Sequence, residues 1–237
     1  MRNLIAIVLI TFAALVAGPA LAADMPYNPP PPPVDAGLGG SFYLRASVGI
    51  YDPTAHDVSY QSCSCGGAVT LINPITSSSY GYSYGVGFGY EAGNGLRADV
   101  TLDQLGNGSM SDGTYTVNLR STIAMANAYY DFGFGGHGLA GGGFGAYVGA
   151  GIGGAYNQTH VNPAPGAGPD GSTFTAAGAL MTGVTYDMGN MVADLGYRMI
   201  YMPQISNGDA AVAPASPFYI NQAVIHEVRG TIRYRFN

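Results

Sequence analysis

The chain of 237 residues has no lysine and no tryptophan, and only 9% of its residues are charged, against about a quarter in soluble domains. All eight basic residues are arginine; they stand against 14 acidic ones, a net charge of −6. So acidic a chain, with few and scattered cations, lacks the clustered Lys and Arg that nucleic-acid binding needs. Long hydrophobic runs are missing as well: beyond the N-terminus no stretch approaches the roughly 20 apolar residues of a membrane-spanning helix. Cysteine is scarce. Cys63 and Cys65 stand one residue apart in a polar segment, a spacing that would strain an intramolecular disulfide and leaves two ligands where a metal site usually has four. No metal or other cofactor is expected. A chain poor in charge and also without a long apolar run is explained by alternating strands, in which apolar residues fill every second position.

Glycine and tyrosine are abundant, at 37 and 18 residues, with Phe at 9. At the N-terminus, Arg2, the apolar stretch Leu4 to Ala17, the breaker Gly18-Pro19 and the small-x-small run Ala20-Leu21-Ala22 follow the order of a signal peptide. Residues 1–22 are therefore expected to be removed. Residues 23–40 carry the run Pro29 to Pro33, which favours an extended polyproline conformation without a core; this segment is expected in the periplasm. Residues 41–237 read as one all-β domain.

From Ser41 onward apolar residues recur with period two. Eight strands are expected over 41–50, 80–90, 96–105, 115–132, 144–156, 173–186, 191–202 and 222–236, the fourth with a bulge in 127–132, where alternation breaks. Loops 52–79, 106–114, 157–172 and 203–221 are mostly long, whereas 91–95 and 187–190 are short turns rich in Gly, Asn and Asp. Alternation of long and short connections is the pattern of a transmembrane barrel with external loops and periplasmic turns. Assigning the apolar face of each strand from its hydrophobic residues puts Arg45, Arg97, Arg120, Arg198, Arg229, Arg233 and Arg235 on the opposite face, with Asp99, Asp103, Asp194 and Glu227.

Three features put that polar face inside. Glycines on it (Gly85, Gly87, Gly149, Gly151) make room in a narrow lumen. Its charges are arginines and carboxylates, the composition of packed bidentate pairs. Aromatic residues, among them Phe42, Tyr51, Tyr90, Tyr129, Tyr130, Phe132, Phe144, Tyr156 and Tyr201, gather near strand ends as two interfacial girdles. The fold expected is an eight-stranded antiparallel up-and-down transmembrane β-barrel, with an interior charge network of Arg45, Arg97, Asp99, Asp103, Arg120, Asp194, Arg198, Glu227, Arg229 and Arg233. Eight strands leave an interior about filled by side chains.

The segments Ala126-Asn127-Ala128-Tyr129-Tyr130-Asp131-Phe132-Gly133, Tyr147-Val148-Gly149-Ala150-Gly151-Ile152-Gly153 and Leu195-Gly196-Tyr197-Arg198 resemble the outer-membrane β-barrel family, which includes opacity-type adhesins and small surface antigens of Gram-negative bacteria. The resemblance covers nearly all of the chain after the signal segment. It implies residence in the outer membrane with both termini periplasmic, contact with outer-membrane lipid, and a C-terminal assembly signal at Tyr234 and Phe236 read by the barrel-insertion machinery. Here Asn237 follows the final Phe. It also implies a structural or surface-interaction role, as antigen or adhesin or in envelope integrity, with host or environmental ligands at external loops. A narrow porin-like channel is the alternative. A lipid-modifying enzyme and a soluble lipocalin-like carrier rank below it, and no enzyme is expected. Of the four histidines, His56 and His160 fall in expected loops, His137 in a glycine-rich turn, and His226 on the lipid-facing side of the last strand near Ser216; no motif joins them into a nucleophile, base and orienting group. N-terminal sequencing of the exported protein should return Ala23 as its first residue; a chain still beginning at Met1 would reject the signal peptide.

Overall fold

A computed structural model of the chain describes residues 40–61, 69–72, 75–111, 116–133, 143–162, 171–206 and 218–236. The signal segment, the proline run, Cys63, Cys65, His137 and Ser216 lie outside the described residues. Among those described, every regular element is a strand: β1 (Ser41–Thr54), β2 (Asp57–Gln61), β3 (Val69–Ile72), β4 (Ser77–Ser79), β5 (Gly81–Glu91), β6 (Leu96–Ser111), β7 (Thr116–Gly133), β8 (Gly143–Asn162), β9 (Gly171–Asp187), β10 (Met191–Ser206) and β11 (Phe218–Phe236).

Eight of these, β1 and β5 to β11, pair antiparallel in chain order, and β1 pairs with β11 to close the ring. The closing ladder runs without a break from Phe42↔Phe236 to Thr54↔Val224. Two tight turns follow from turn chemistry. In the β5–β6 turn the Leu96 amide donates to Asn94 Oδ1 at 3.1 Å, between Gly93 and Gly95 at φ 76° and 91°. In the β9–β10 turn the Gly189 amide, at φ 91°, donates to Asp187 Oδ1 at 2.8 Å.

The strands run further than their apolar alternation indicates. β6 continues to Ser111 through a register shift between Leu105 and Gly108, where Asn107 takes φ 62°. β8 is 20 residues long and β11 19, whereas about 9–11 span a bilayer. The expected loop 52–79 contains β2, β3 and β4. β2 takes over from β1 as the partner of β11, from Phe218↔Tyr60 to Asn221↔Asp57, and β4 pairs with the far end of β6. In β7 the expected bulge is absent. Burial alternates from Val117 through Phe132, and Asn127, Tyr129 and Asp131 all point inward.

Side-chain polarity explains the added length, because it reverses part-way up the barrel. In the half bearing the tight turns the outer face is apolar: Val48 is 67% exposed, Val86 62% and Ile152 75%. The inner face there holds Arg, Asp, Asn and Thr. In the other half the inner face is apolar, with Leu105, Met110, Val117, Leu119, Ile123, Ile200, Met202, Ile205, Ile220 and Ile225 all buried in one cluster. The outer face turns polar at one level. Leu102, Ala124 and Gly154 form one outward row; Gln104, Thr122 and Tyr156 form the next; Arg120 and Gln158 follow. A strand in lipid hides polar groups inside, and a strand in water hides apolar ones. The hydrophobic face of a single strand thus changes sides at the bilayer edge, and the far ends of the strands look like loops when only lipid-facing residues are sought.

Inward glycines create the space the lumen needs. A Cβ at Gly89 would stand 2.5 Å from the Tyr43 ring and from the Ala98 carbonyl oxygen, below any ordinary contact. Gly89→Leu should lower the temperature at which the folded band converts to the unfolded mobility on gels, whereas Ala46→Leu, on the exposed outer face, should leave it unchanged.

Candidate functional site

The inner face of the turn-bearing half is a stack of ion pairs in which six arginines meet seven carboxylates. Alternation along each strand aims these side chains into the lumen, and ring closure brings opposite strands within reach. Nearest the tight turns, Arg235 pairs with Glu91 and Asp187, each at 2.6 Å. Arg233 pairs with Glu91 and forks onto Asp194 at 2.9 and 3.1 Å. Arg97 forks onto Asp131 with both distances 2.9 Å, and its guanidinium lies 3.9 Å from the centre of the Tyr129 ring, within cation–π range. In the middle layer Arg45 donates to Asp99 at 2.8 Å and to the Tyr129 hydroxyl at 2.8 Å. Tyr43 and Asn127 also donate to Asp99, both at 2.8 Å.

The next layer crosses the lumen. Arg198 on β10 reaches Asp103 on β6 at 2.7 Å and Glu227 on neighbouring β11 at 2.5 Å. Arg229 on β11 reaches Asp103 at 3.0 Å and also donates to Ser47; Ser83 donates to Glu227. In the ring order β10 and β6 stand on opposite walls, so Arg198–Asp103 is a tie across the diameter. Arg198 and Asp103 are each 1% exposed. Only a planar fork makes two such bonds in fixed directions, which is the physical ground for an all-arginine basic set. Immediately above this layer the apolar inner cluster begins, at Leu105, Ile200 and Ile225.

Nine of the ten residues expected in the interior network, Arg45, Arg97, Asp99, Asp103, Asp194, Arg198, Glu227, Arg229 and Arg233, are buried, and each takes part in an interior ion pair. Arg120 is not among them. It is exposed on the outer wall of β7, because Val117, Leu119, Ile123 and Met125, assigned to the lipid side, fill the inner face of the water-side half. Tyr51 and Tyr129 also leave the expected girdle. Both are buried inward, and the Tyr51 hydroxyl accepts from the Gly108 amide at 3.0 Å. Glu91, Asp131 and Asp187 were read as turn or irregular residues, yet each sits on the inward parity of its strand; carrying that parity to the strand ends would have found them. Tyr234 and Phe236 lie on the outer wall with ring centres 5.3 Å apart. His226 faces outward as expected, and its Nδ1 lies 2.6 Å from the Tyr197 hydroxyl.

Against this geometry, residues 10–211 match the model of the outer membrane protein beta-barrel domain. The chain belongs to this outer-membrane β-barrel family. It is 31% identical over 201 residues to uncharacterized proteins of Brucella abortus and Brucella melitensis, a match covering 66% of this chain and 69% of theirs. The crystal structure of Neisserial surface protein A shares its fold at a TM-score of 0.53 and 19% identity, covering 84% of this chain and 99% of that one. The apolar outer belt of this outer-membrane barrel therefore faces lipid, and the ion pairs fill its lumen.

Breaking one partner of a buried ion pair strands the other charge, at a cost of about 3–5 kcal/mol. Arg198→Ala leaves both Asp103 and Glu227 short of a cation and should lower stability by about that amount, read from urea unfolding in detergent. Arg120→Ala should change stability by less than about 0.5 kcal/mol; equal losses in the two variants would contradict the inward and outward placements.

Proposed function

We propose that this outer-membrane barrel is a closed anchor that raises a rigid platform above the bilayer for surface contacts. The observation that carries this reading is the filling of the lumen at two successive levels, the ties of Arg198 and Arg229 to Asp103 and above them the apolar inner cluster. A water-filled path along the axis would have to break the first and hydrate the second. The inner cluster also gives the projecting half a core of its own, so β6 to β11 continue outward as sheet and hold their external ends in fixed positions. Phe42 and Phe236, at the two ends of the barrel, lie together at the rim carrying the tight turns. That supports periplasmic termini, and with them a periplasmic proline-rich segment following cleavage after Ala22. Tyr234 and Phe236, exposed on the outer wall of the closing strand, suit a C-terminal signal for the insertion machinery.

Catalysis is not part of this reading: His226 engages Tyr197, a phenol with no oriented base behind it among the described residues. Host or environmental ligands would meet the external rim, where β2 and β3 form a hairpin beside β11. In planar bilayers the purified protein should hold the baseline current, and steady single-channel steps would restore the narrow-channel alternative. Deleting residues 57–72 should preserve the heat-dependent gel shift while abolishing whatever surface binding the intact cells show; undiminished binding would move the contact surface elsewhere on the rim.

A further inference from the structure

Arg120 is the exception among the barrel's arginines. The others are paired with carboxylates, whereas Arg120 is exposed and has no hydrogen-bond or carboxylate partner among the described residues. It opens into a depression of about 640 Å³ on the outer wall, shared with Asn107, Asn118, Tyr156, Gln158 and Ser172. Its position is fixed by ladder register: Arg120 pairs with Gln158, and Gln158 with Ser172. Asn107, in the bulge of β6, enters from the other side.

The height of this row can be read from its neighbours. The row below it is Gln104, Thr122, Tyr156 and Phe174, where the wall passes from apolar to polar and where Thr122 donates to Gln104 at 2.7 Å. Exposed Tyr156 and Phe174 mark it as the interfacial girdle of the external leaflet. Two residues up a tilted strand is about 5 Å, the level of the headgroups. Beneath it, β7 presents Ala124, Ala126 and Ala128 outward, and the larger Leu102 and Ile152 stand on the flanking β6 and β8, so that a stripe of small apolar side chains leads down from the level of the cation.

We propose that this wall is a binding site for a phosphorylated glycolipid of the outer leaflet. Arg120 takes the phosphate, the amide and hydroxyl groups of Asn107, Asn118, Gln158 and Ser172 take the sugar, and an acyl chain lies along the alanine stripe. A guanidinium forks onto phosphate oxygens, and here its partner would come from the membrane because none of the described residues supplies one. The site rests on the placement of the barrel in the outer membrane and is independent of whether the lumen conducts.

The test uses the purified full-length barrel in nanodiscs with phosphatidylcholine as the bulk lipid, doped with bisphosphorylated lipid A or with its dephosphorylated form. Retention is read by native mass spectrometry. The phosphorylated form should be retained over the dephosphorylated form, and Arg120→Gln should lower its retention about tenfold, the loss expected for one charge-assisted bond. Arg120→Lys keeps the charge and should retain most of the binding; a drop as deep as that of Arg120→Gln would assign the effect to wall structure and overturn the site. Equal retention of the two lipids, or discrimination unchanged by Arg120→Gln, would overturn it as well. Displacement by millimolar inorganic phosphate would show a simple anion site and overturn the glycolipid assignment. The gel shift on heating serves as the folding check for each variant.

Discussion

In hydrocarbon every backbone amide and carbonyl must find a partner within the protein, and a sheet meets that demand only by having no edge. The ladder between β1 and β11 therefore carries the rest of the structure. It joins the two ends of the barrel residue by residue from Phe42↔Phe236 to Thr54↔Val224, and with it the inward face becomes a lumen. Asp103 on β6 can then reach Arg198 and Arg229 on the far wall. Without closure Asp103 would lie on an open sheet out of reach of both arginines.

The charged layers and the apolar layer inside the barrel are two answers to one rule. Where lipid surrounds the wall, polar groups turn inward, and the cost of burying them is offset only by complete pairing; arginine's fork suits this and lysine's point charge does not. Where water surrounds the wall, the same inward positions hold Leu105, Ile200, Met202 and Ile225, and the barrel resembles a soluble one. The change of environment is thus written twice on each long strand, once per face. On β7 it falls between Asn127 and Met125 on the inner face and between Ala124 and Thr122 on the outer. The inner face is thus occupied by ion pairs in the lipid-side half and by apolar side chains in the water-side half.

The barrel could be read from the sequence because period two, glycines on the polar face and alternating connection lengths are local features that survive without a structure. The eight ring strands, the tight turns at 91–95 and 187–190, and the inward placement of Arg45, Arg198 and Arg229 came from these alone. Most of the errors share one cause. Treating the apolar face as the lipid face along a whole strand placed Arg120 inside and let β6, β8, β10 and β11 stop short, because beyond the bilayer edge the apolar face is the inner one. Tyr129 failed differently. It stands in Tyr129-Tyr130, where two aromatics in succession hide the parity that Asn127 and Asp131 on either side would have revealed.

By itself the sequence determined the fold class, the lipid-facing side of the strands other than β7, and the need for arginine rather than lysine, since each depends on residue type at alternate positions. Tertiary structure alone decided which charge meets which. Arg45 with Asp99, Arg97 with Asp131 and Arg198 with both Asp103 and Glu227 are pairings set by register and by which walls stand opposite, and neither is encoded in any one strand. It also decided the height at which the bilayer ends. That height appears only when rows from four neighbouring strands are aligned by their hydrogen bonds, and it is what turns Arg120 from an interior charge into an exposed one.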